Sequence, residues 1–220
     1  MRKWFSEAAQ LIGQTAFRPL ASSGYWIGLE LFLLVEDPWR VFLTTDHPNG
    51  APFTTYPHLI RLLMDRGFRA EKLAAIHPAA AAASRLAGLD REYDLHDIAV
   101  ITRAGPARAL GLADRGHLGA GAVADIAVYD EQADKEAMFS RAAYVFKDGR
   151  LVVRDGTLVE TVAGATHVAR PEHDPAIERR IADHFARFLT VRAGNFRLSD
   201  GEIVDAGGAL VAHPCRRTLS

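Results

Sequence analysis

Val41-Phe42-Leu43-Thr44-Thr45-Asp46-His47-Pro48-Asn49-Gly50 is the stretch on which the fold reading turns. It opens as a short apolar run with β-branched and aromatic residues, the pattern of a buried strand. The run stops at a carboxylate, and Pro48, Asn49 and Gly50 then force a turn. A carboxylate at the C-terminal end of a buried strand is where α/β barrels place their chemistry. Asp46 there can ligate a metal, or take a proton from water and hand it to a leaving group. It can equally be the residue that opens the turn, since Asp bonds its own backbone well.

Outward from this stretch, the N-terminal side reads as helical. Ser6 caps a short helix closed by Gly13. Tyr25 to Val35 is a densely apolar helix that ends at Asp37-Pro38, because proline disfavours helical backbone in the residue before it. On the far side, Pro57 opens a helix whose apolar stripe is Leu59, Ile60, Leu62 and Leu63, with Gly67 as its stop. His77-Pro78 leads into a tightly packed small-residue helix over Ala79 to Ser84. Asp94 caps a helix over Leu95 to Thr102, and a further helical turn from Pro106 stops at Gly111.

Beyond Gly111 glycines punctuate β-like segments. Ala143 to Gly156 is a hairpin with an Asp148-Gly149 turn, and Leu158 to Val162 adds a possible strand. Helical spacing returns over Pro171 to Leu189, with Ile177, Ile181, Phe185 and Phe188 on one stripe. A last strand is expected at Glu202 to Asp205. The boundary between helix-rich and strand-rich sequence falls near Leu112, dividing the chain into 1–112, 113–170 and 171–220.

With 220 residues and 49% hydrophobic content, the chain can bury a sizeable core. Lys and Arg number 26 against 27 Asp and Glu, a net charge of −1, which points to neither nucleic acid nor an anionic membrane. The lone cysteine, Cys215, cannot build a disulfide framework or a thiolate site, so a cytoplasmic location is the default. The longest apolar run, Ile27 to Val35, is too short to span a bilayer.

The order of Thr102 to Leu112, Gly116 to Asp130 and Lys147 to Arg150 resembles the end of the amidohydrolase superfamily. Gly28 to Leu31 and Glu36 to Thr54, around the Asp46 stretch, resemble a more specific branch. It contains the amidohydrolase-type subunits of formylmethanofuran dehydrogenase and of the bacterial formyltransferase/hydrolase complex, the latter called the alpha subunit. Thr190 to Leu198 is similar to the bacterial members. The resemblance implies an α/β plus β fold: the C-terminal portion of a metal-dependent hydrolase (β/α)8 barrel over 1–112, then a small amidohydrolase-type β domain over 113–170, then a helix and tail over 171–220. It implies hydrolysis or formation of the N-formyl group of a C1 carrier, formylmethanofuran or formyl-tetrahydromethanopterin, in one-carbon metabolism. The implied partners are the other subunits of such a complex and the formylated carrier, with no nucleic acid and no membrane.

By the same resemblance, Asp46 matches the strand-8 aspartate, a ligand to divalent metal, usually zinc in a binuclear site, and the general base and acid. His47 is expected as an outer or structural partner, while Asn49 and Thr45 are candidates for substrate contact that also suit turn and core. The sequence departs from the superfamily pattern in its histidines. None of the nine forms His-x-His. Only 45 residues precede Asp46, against seven preceding βα units of about 30 residues each. The expectation is a C-terminal piece of the family, inactive and without stoichiometric zinc alone, and poorly soluble for want of a closed barrel. The alternatives are a non-catalytic scaffold chain of the same complex, or another amidohydrolase of the dihydroorotase or cytosine deaminase kind.

Overall fold

The computed structural model describes residues 23–45, 47, 51–204 and 208–215. The helix expected after Ser6 lies outside them. The chain forms two compact units, 1–160 and 161–220.

In the first unit, α1 spans Ser23–Leu34. It buries Leu29, Phe32 and Leu33, the i, i+3, i+4 spacing of a core-facing helix. The carbonyls that its C-terminus leaves open are taken up by one guanidinium: Arg91 donates to Leu33 O at 3.4 Å and Glu36 O at 3.3 Å, and also to Val35 O. Asp37 then caps a single 3-10 turn, Pro38–Arg40, by accepting from the Trp39 N–H at 3.1 Å. Next come α2, Tyr56–Met64, and α3, Arg66–Ala74. They do not meet at Gly67, the expected stop. Asp65 ends α2 and caps α3, its side chain accepting from Phe68 N–H at 2.8 Å. A capping carboxylate outcompetes a glycine two residues later, which simply becomes helical. The small-residue helix α4, Pro78–Ala83, forms as expected. Glu30 of α1 ties its end down through Ser84 Oγ at 2.8 Å.

Asp94 and Asp97 form a capping box for α5, Leu95–Ala99. The helix does not break before Pro106. It widens into a π-helical turn, Val100–Ala104, and continues as α6, Gly105–Ala109. Pro106 has no N–H to give Thr102, so the ladder adjusts by one residue instead of ending. The core gathers α1, α2, Val41, Leu73, Leu86, Tyr93, Ile98 and Ile101.

The strand-rich half carries a four-stranded antiparallel sheet in the order β1-β2-β3-β4: Ile126–Val128, Tyr144–Lys147, Arg150–Arg154 and Thr157–Leu158. Asp148 and Gly149 have φ of 49° and 77°, and Asp155 and Gly156 have 50° and 72°. Both tight turns therefore use the left-handed pair that matches strand twist. Asp125 fastens the first turn by accepting from Lys147 Nζ at 2.8 Å, the Asp148 N–H at 2.9 Å and Arg115 at 2.7 Å. Burial pushes the Asp125 carboxyl up, but these donors and cations together hold it below its ordinary value. An unexpected helix, α7, Lys135–Ser140, is capped by Asp134 and packs on α2 through Arg61–Asp134 at 2.7 Å and His58–Glu136 at 3.1 Å.

In the second unit, β5, Ala165–Pro171, pairs in parallel with β6, Ala209–Cys215, in the register Ala165 to Ala209. Between them, α8, Ala176–Phe188, has no buried residue. The strand expected at Glu202 is instead the short helix α9, Asp200–Ile203, because Ser199 and Glu202 make a capping box.

Candidate active site

Val41 to Thr45 does not form the expected paired strand. Val41 is extended, with φ −130° and ψ 143°. Both Val41 and Thr45 are buried, but among the described residues no strand pairs with this segment. What holds it is a helix. The Leu43 N–H donates to Ile101 O at 3.1 Å. That carbonyl is open because the wide turn sends the Gly105 N–H to Val100 O, and because the following residue is Pro106. Gly105 also lets the Phe42 ring lie against the helix: a Cβ there would stand 2.8 Å from Phe42 Cε1 and 2.9 Å from Val100 O. The motif Gly105-Pro106 thus opens a carbonyl and clears the space that the Asp46 stretch occupies.

Thr45 is fully buried, and its Oγ1 has no hydrogen-bond partner among the described residues. A buried hydroxyl left so costs about 1–3 kcal/mol. Its carbonyl accepts from the Ala51 N–H at 2.8 Å, closing a loop whose mouth is fixed on both sides. Asp46 and Asn49 belong to that loop and lie outside the described residues. His47 is exposed, and its imidazole stacks on Phe53 with centroids 4.0 Å apart and planes at 22°. Phe53 in turn lies 6.5 Å from Tyr56 at 14°. Sequence reasoning passed over this aromatic row. Its signal was the aromatic spacing His47, Phe53, Tyr56 around a proline-rich turn.

Among the described residues no three His, Cys, Asp or Glu side chains gather as a metal group. His58 pairs with Glu136, His77 caps α4 through the Ala79 N–H at 3.2 Å, and His117 accepts from the Gly119 N–H at 3.1 Å. His167 and His213 face each other at 2.7 Å in the second unit. The described side chains do not fit a binuclear metal centre. A cavity of about 580 Å³ opens between α5–α6 and the β1–α7 region, lined by Leu95, Thr102, Leu118, Tyr129 and Phe139 among others. Its walls include neither Thr45 nor His47 and are mostly apolar.

The comparisons with known proteins agree on one group. The model of the amidohydrolase family matches residues 11–153. The chain is 42% identical over 198 residues to the A subunit of the formyltransferase/hydrolase complex Fhc of Methylorubrum extorquens, covering 90% of this chain and 36% of that protein. It is 41% identical over 194 residues to protein FwdA of Methanocaldococcus jannaschii, covering 83% of this chain and 34% of that one. Its fold matches the crystal structure of the formyltransferase/hydrolase complex FhcABCD from Methylorubrum extorquens in complex with methylofuran, with a TM-score of 0.76 at 42% identity, over 91% of this chain and 37% of that one. The chain therefore spans about a third of the length of these relatives. No helix among the described residues is long and apolar enough to cross a membrane. With the family model running through α1, the Asp46 stretch, the π-turn helix and the first three strands of the sheet, this chain belongs to the amidohydrolase family.

Proposed function

We propose that the chain is part of a subunit that hydrolyses or forms the N-formyl group of a C1 carrier, formylmethanofuran or formyl-tetrahydromethanopterin, within a multi-subunit cytoplasmic complex. The observation that carries this reading is the 42% identity and 0.76 TM-score to the structure of a formyltransferase/hydrolase complex. The other subunits and the formylated carrier are its partners, with no nucleic acid and no membrane. Residues 1–112 are the closing part of a (β/α)8 barrel, 113–170 a small β domain and 171–220 a C-terminal helix and tail. The change from helices to strands after Gly111 supports this division.

Asp46 is the acid–base residue in this reading. Its carboxylate takes a proton from the water that attacks the formyl carbon and delivers it to the nitrogen as the C–N bond breaks. The fixed mouth of its loop, with Thr45 buried on one side and Ala51 on the other, supports a carboxylate held in place. Asp46 is also a ligand to a divalent metal in this reading, zinc in the family's usual form; among the described residues no three His, Cys, Asp or Glu side chains gather to complete a site. His47, Asn49 and Thr45 serve as its neighbours or touch substrate. Asp46→Asn in the assembled complex keeps side-chain size and removes the base, so turnover should fall about 10²–10⁴-fold with assembly intact. Near-normal turnover would reduce Asp46 to a turn residue. It would favour a scaffold role, the reading to which the scattered described histidines lend weight.

A further inference from the structure

The carbonyl of Ile101 has three donors within reach of its place in the fold, and the sequence removes two of them. In a continuous α-helix it would accept from the Gly105 N–H, four residues on. The π-turn Val100–Ala104 sends that N–H to Val100 O instead. Had the wide register run one residue further, the N–H of residue 106 would have bonded Ile101 O. Residue 106 is proline and has no N–H. The Leu43 N–H takes the carbonyl, at 3.1 Å, from a segment far earlier in the chain. Ile101 is fully buried, and a carbonyl without a donor in such surroundings is costly, so an N–H that reaches it is held there. Two close approaches brace the turn in this register. Phe42 lies against Gly105, and Gly116, at φ 78°, lies against the next turn. A Cβ on Gly116 would stand 2.7 Å from Ala107 Cβ and 3.0 Å from Arg103 O.

We propose that Pro106 is a positioning residue for the Val41–Thr45 segment, and through it for Asp46, the next residue in the chain. By lacking an N–H, it reserves the Ile101 carbonyl for Leu43. The link to turnover rests on the acid–base role proposed for Asp46; the competition for the carbonyl does not. The proposal carries a sign that helix stability alone would reverse. Alanine in place of a proline inside a helix ordinarily firms the helix, because it returns an N–H and removes a poor helix former. Here the returned N–H competes with Leu43 for one acceptor.

The test is amide hydrogen exchange, resolved to single residues by mass spectrometry, on the assembled complex with the wild-type chain, Pro106→Ala or Pro106→Gly. Both variants restore the N–H, but glycine is a poor helix former, so an effect common to both belongs to the N–H. The Leu43 amide should exchange about two- to tenfold faster in both, the loss of one net hydrogen bond. The Ala51 amide, which donates to Thr45 O at 2.8 Å at the far end of the segment, should quicken with it. The Leu110 amide, which donates to Pro106 O at 3.0 Å, should be no faster in Pro106→Ala. With the formylated carrier, kcat should fall in both variants while KM stays unchanged. A Leu43 amide no faster than wild type in either variant overturns the inference. So does an Ala51 amide that does not follow it, a quickening shared equally by Leu110 in Pro106→Ala, or an unchanged kcat where Asp46→Asn lowers it. Turnover indifferent to Asp46→Asn, with the Leu43 and Ala51 amides quickened, sinks the acid–base reading alone and leaves Pro106 as the residue that seats the segment.

Discussion

Arg69 is the most demanding side chain in the core, at 1% exposure, and its replacement by methionine tests how the helical half is held. Its guanidinium donates to Leu62 O at 2.7 Å, to Arg91 O at 2.9 Å and to Leu89 O at 3.3 Å. These bonds join the end of α2 to the segment that also carries Arg91 and Tyr93, the residues gripping α1. Burial lowers the guanidinium's pKa, with the Glu92 charge opposing it, yet an arginine stays protonated throughout the ordinary range. Each charge-assisted bond contributes about 1.5–3 kcal/mol, and methionine recovers the desolvation cost while leaving carbonyls unpaired. The net loss should be about 3 kcal/mol, near the range for breaking a buried charged contact. Arg69→Lys keeps the charge but not the fork, and should lose about 2 kcal/mol. Equilibrium urea unfolding, followed by circular dichroism, would show the Met variant's midpoint about 1–2 M lower with the slope unchanged. A loss under about 1 kcal/mol for Arg69→Met would refute the view that one guanidinium organises these carbonyls.

Gly105→Ala should destabilise by about 1–3 kcal/mol through overpacking against Phe42 and Val100 O, and should speed hydrogen exchange at the Leu43 amide; an unchanged Leu43 amide would mean that the helix does not hold the Asp46 stretch. Tyr93→Phe removes the hydroxyl that donates to Phe32 O and should cost about 1 kcal/mol at neutral pH. Burial, followed by the smaller and opposing effect of Arg91, pushes the Tyr93 hydroxyl from 10.0 to about 12, so the folded state keeps a proton that the unfolded chain releases. The stability this contributes is complete below pH 10 and falls as pH rises towards 12. The wild-type urea midpoint should therefore decline over that window more steeply than that of Tyr93→Phe, and parallel curves would disprove the coupling.

The legible parts of the chain were those in which a local pattern and its tertiary use coincide. The Tyr25–Val35 helix, the Ala-rich helix after Pro78, the Asp94 cap and the Asp148-Gly149 hairpin each follow from side chains acting within a few residues. The Gly67 stop failed because Asp65 offered a stronger local bond, and the Glu202 strand failed because a Ser–Glu capping box outweighed β-like composition. The Asp46 stretch was legible as buried and extended at Val41, but its partner was not. No sequence period announces that the carbonyl of Ile101, on a helix far along the chain, will take the place of a neighbouring strand. Asp46 and the turn after it lie outside the described residues, so its role stands on the sequence and the family resemblance. The aromatic row beside it was missed because stacking between residues 47, 53 and 56 depends on how the loop closes. The parallel pairing of β5 with β6 likewise has no local signature.

That parallel pair has a consequence for the order in which the chain folds. Ala165 and Ala209 are forty-odd residues apart, so the intervening chain must be drawn into a closed loop before their ladder exists. The two Asp-Gly hairpins of the first unit close over a few residues, on a scale of about microseconds. In the second unit α8 buries no side chain, so little apolar gain offsets the entropy lost on closure. The first unit can thus complete its core while the β5–β6 register is still searching. The second unit is then the last region to become protected and the first to be cut when a protease meets a partly opened molecule.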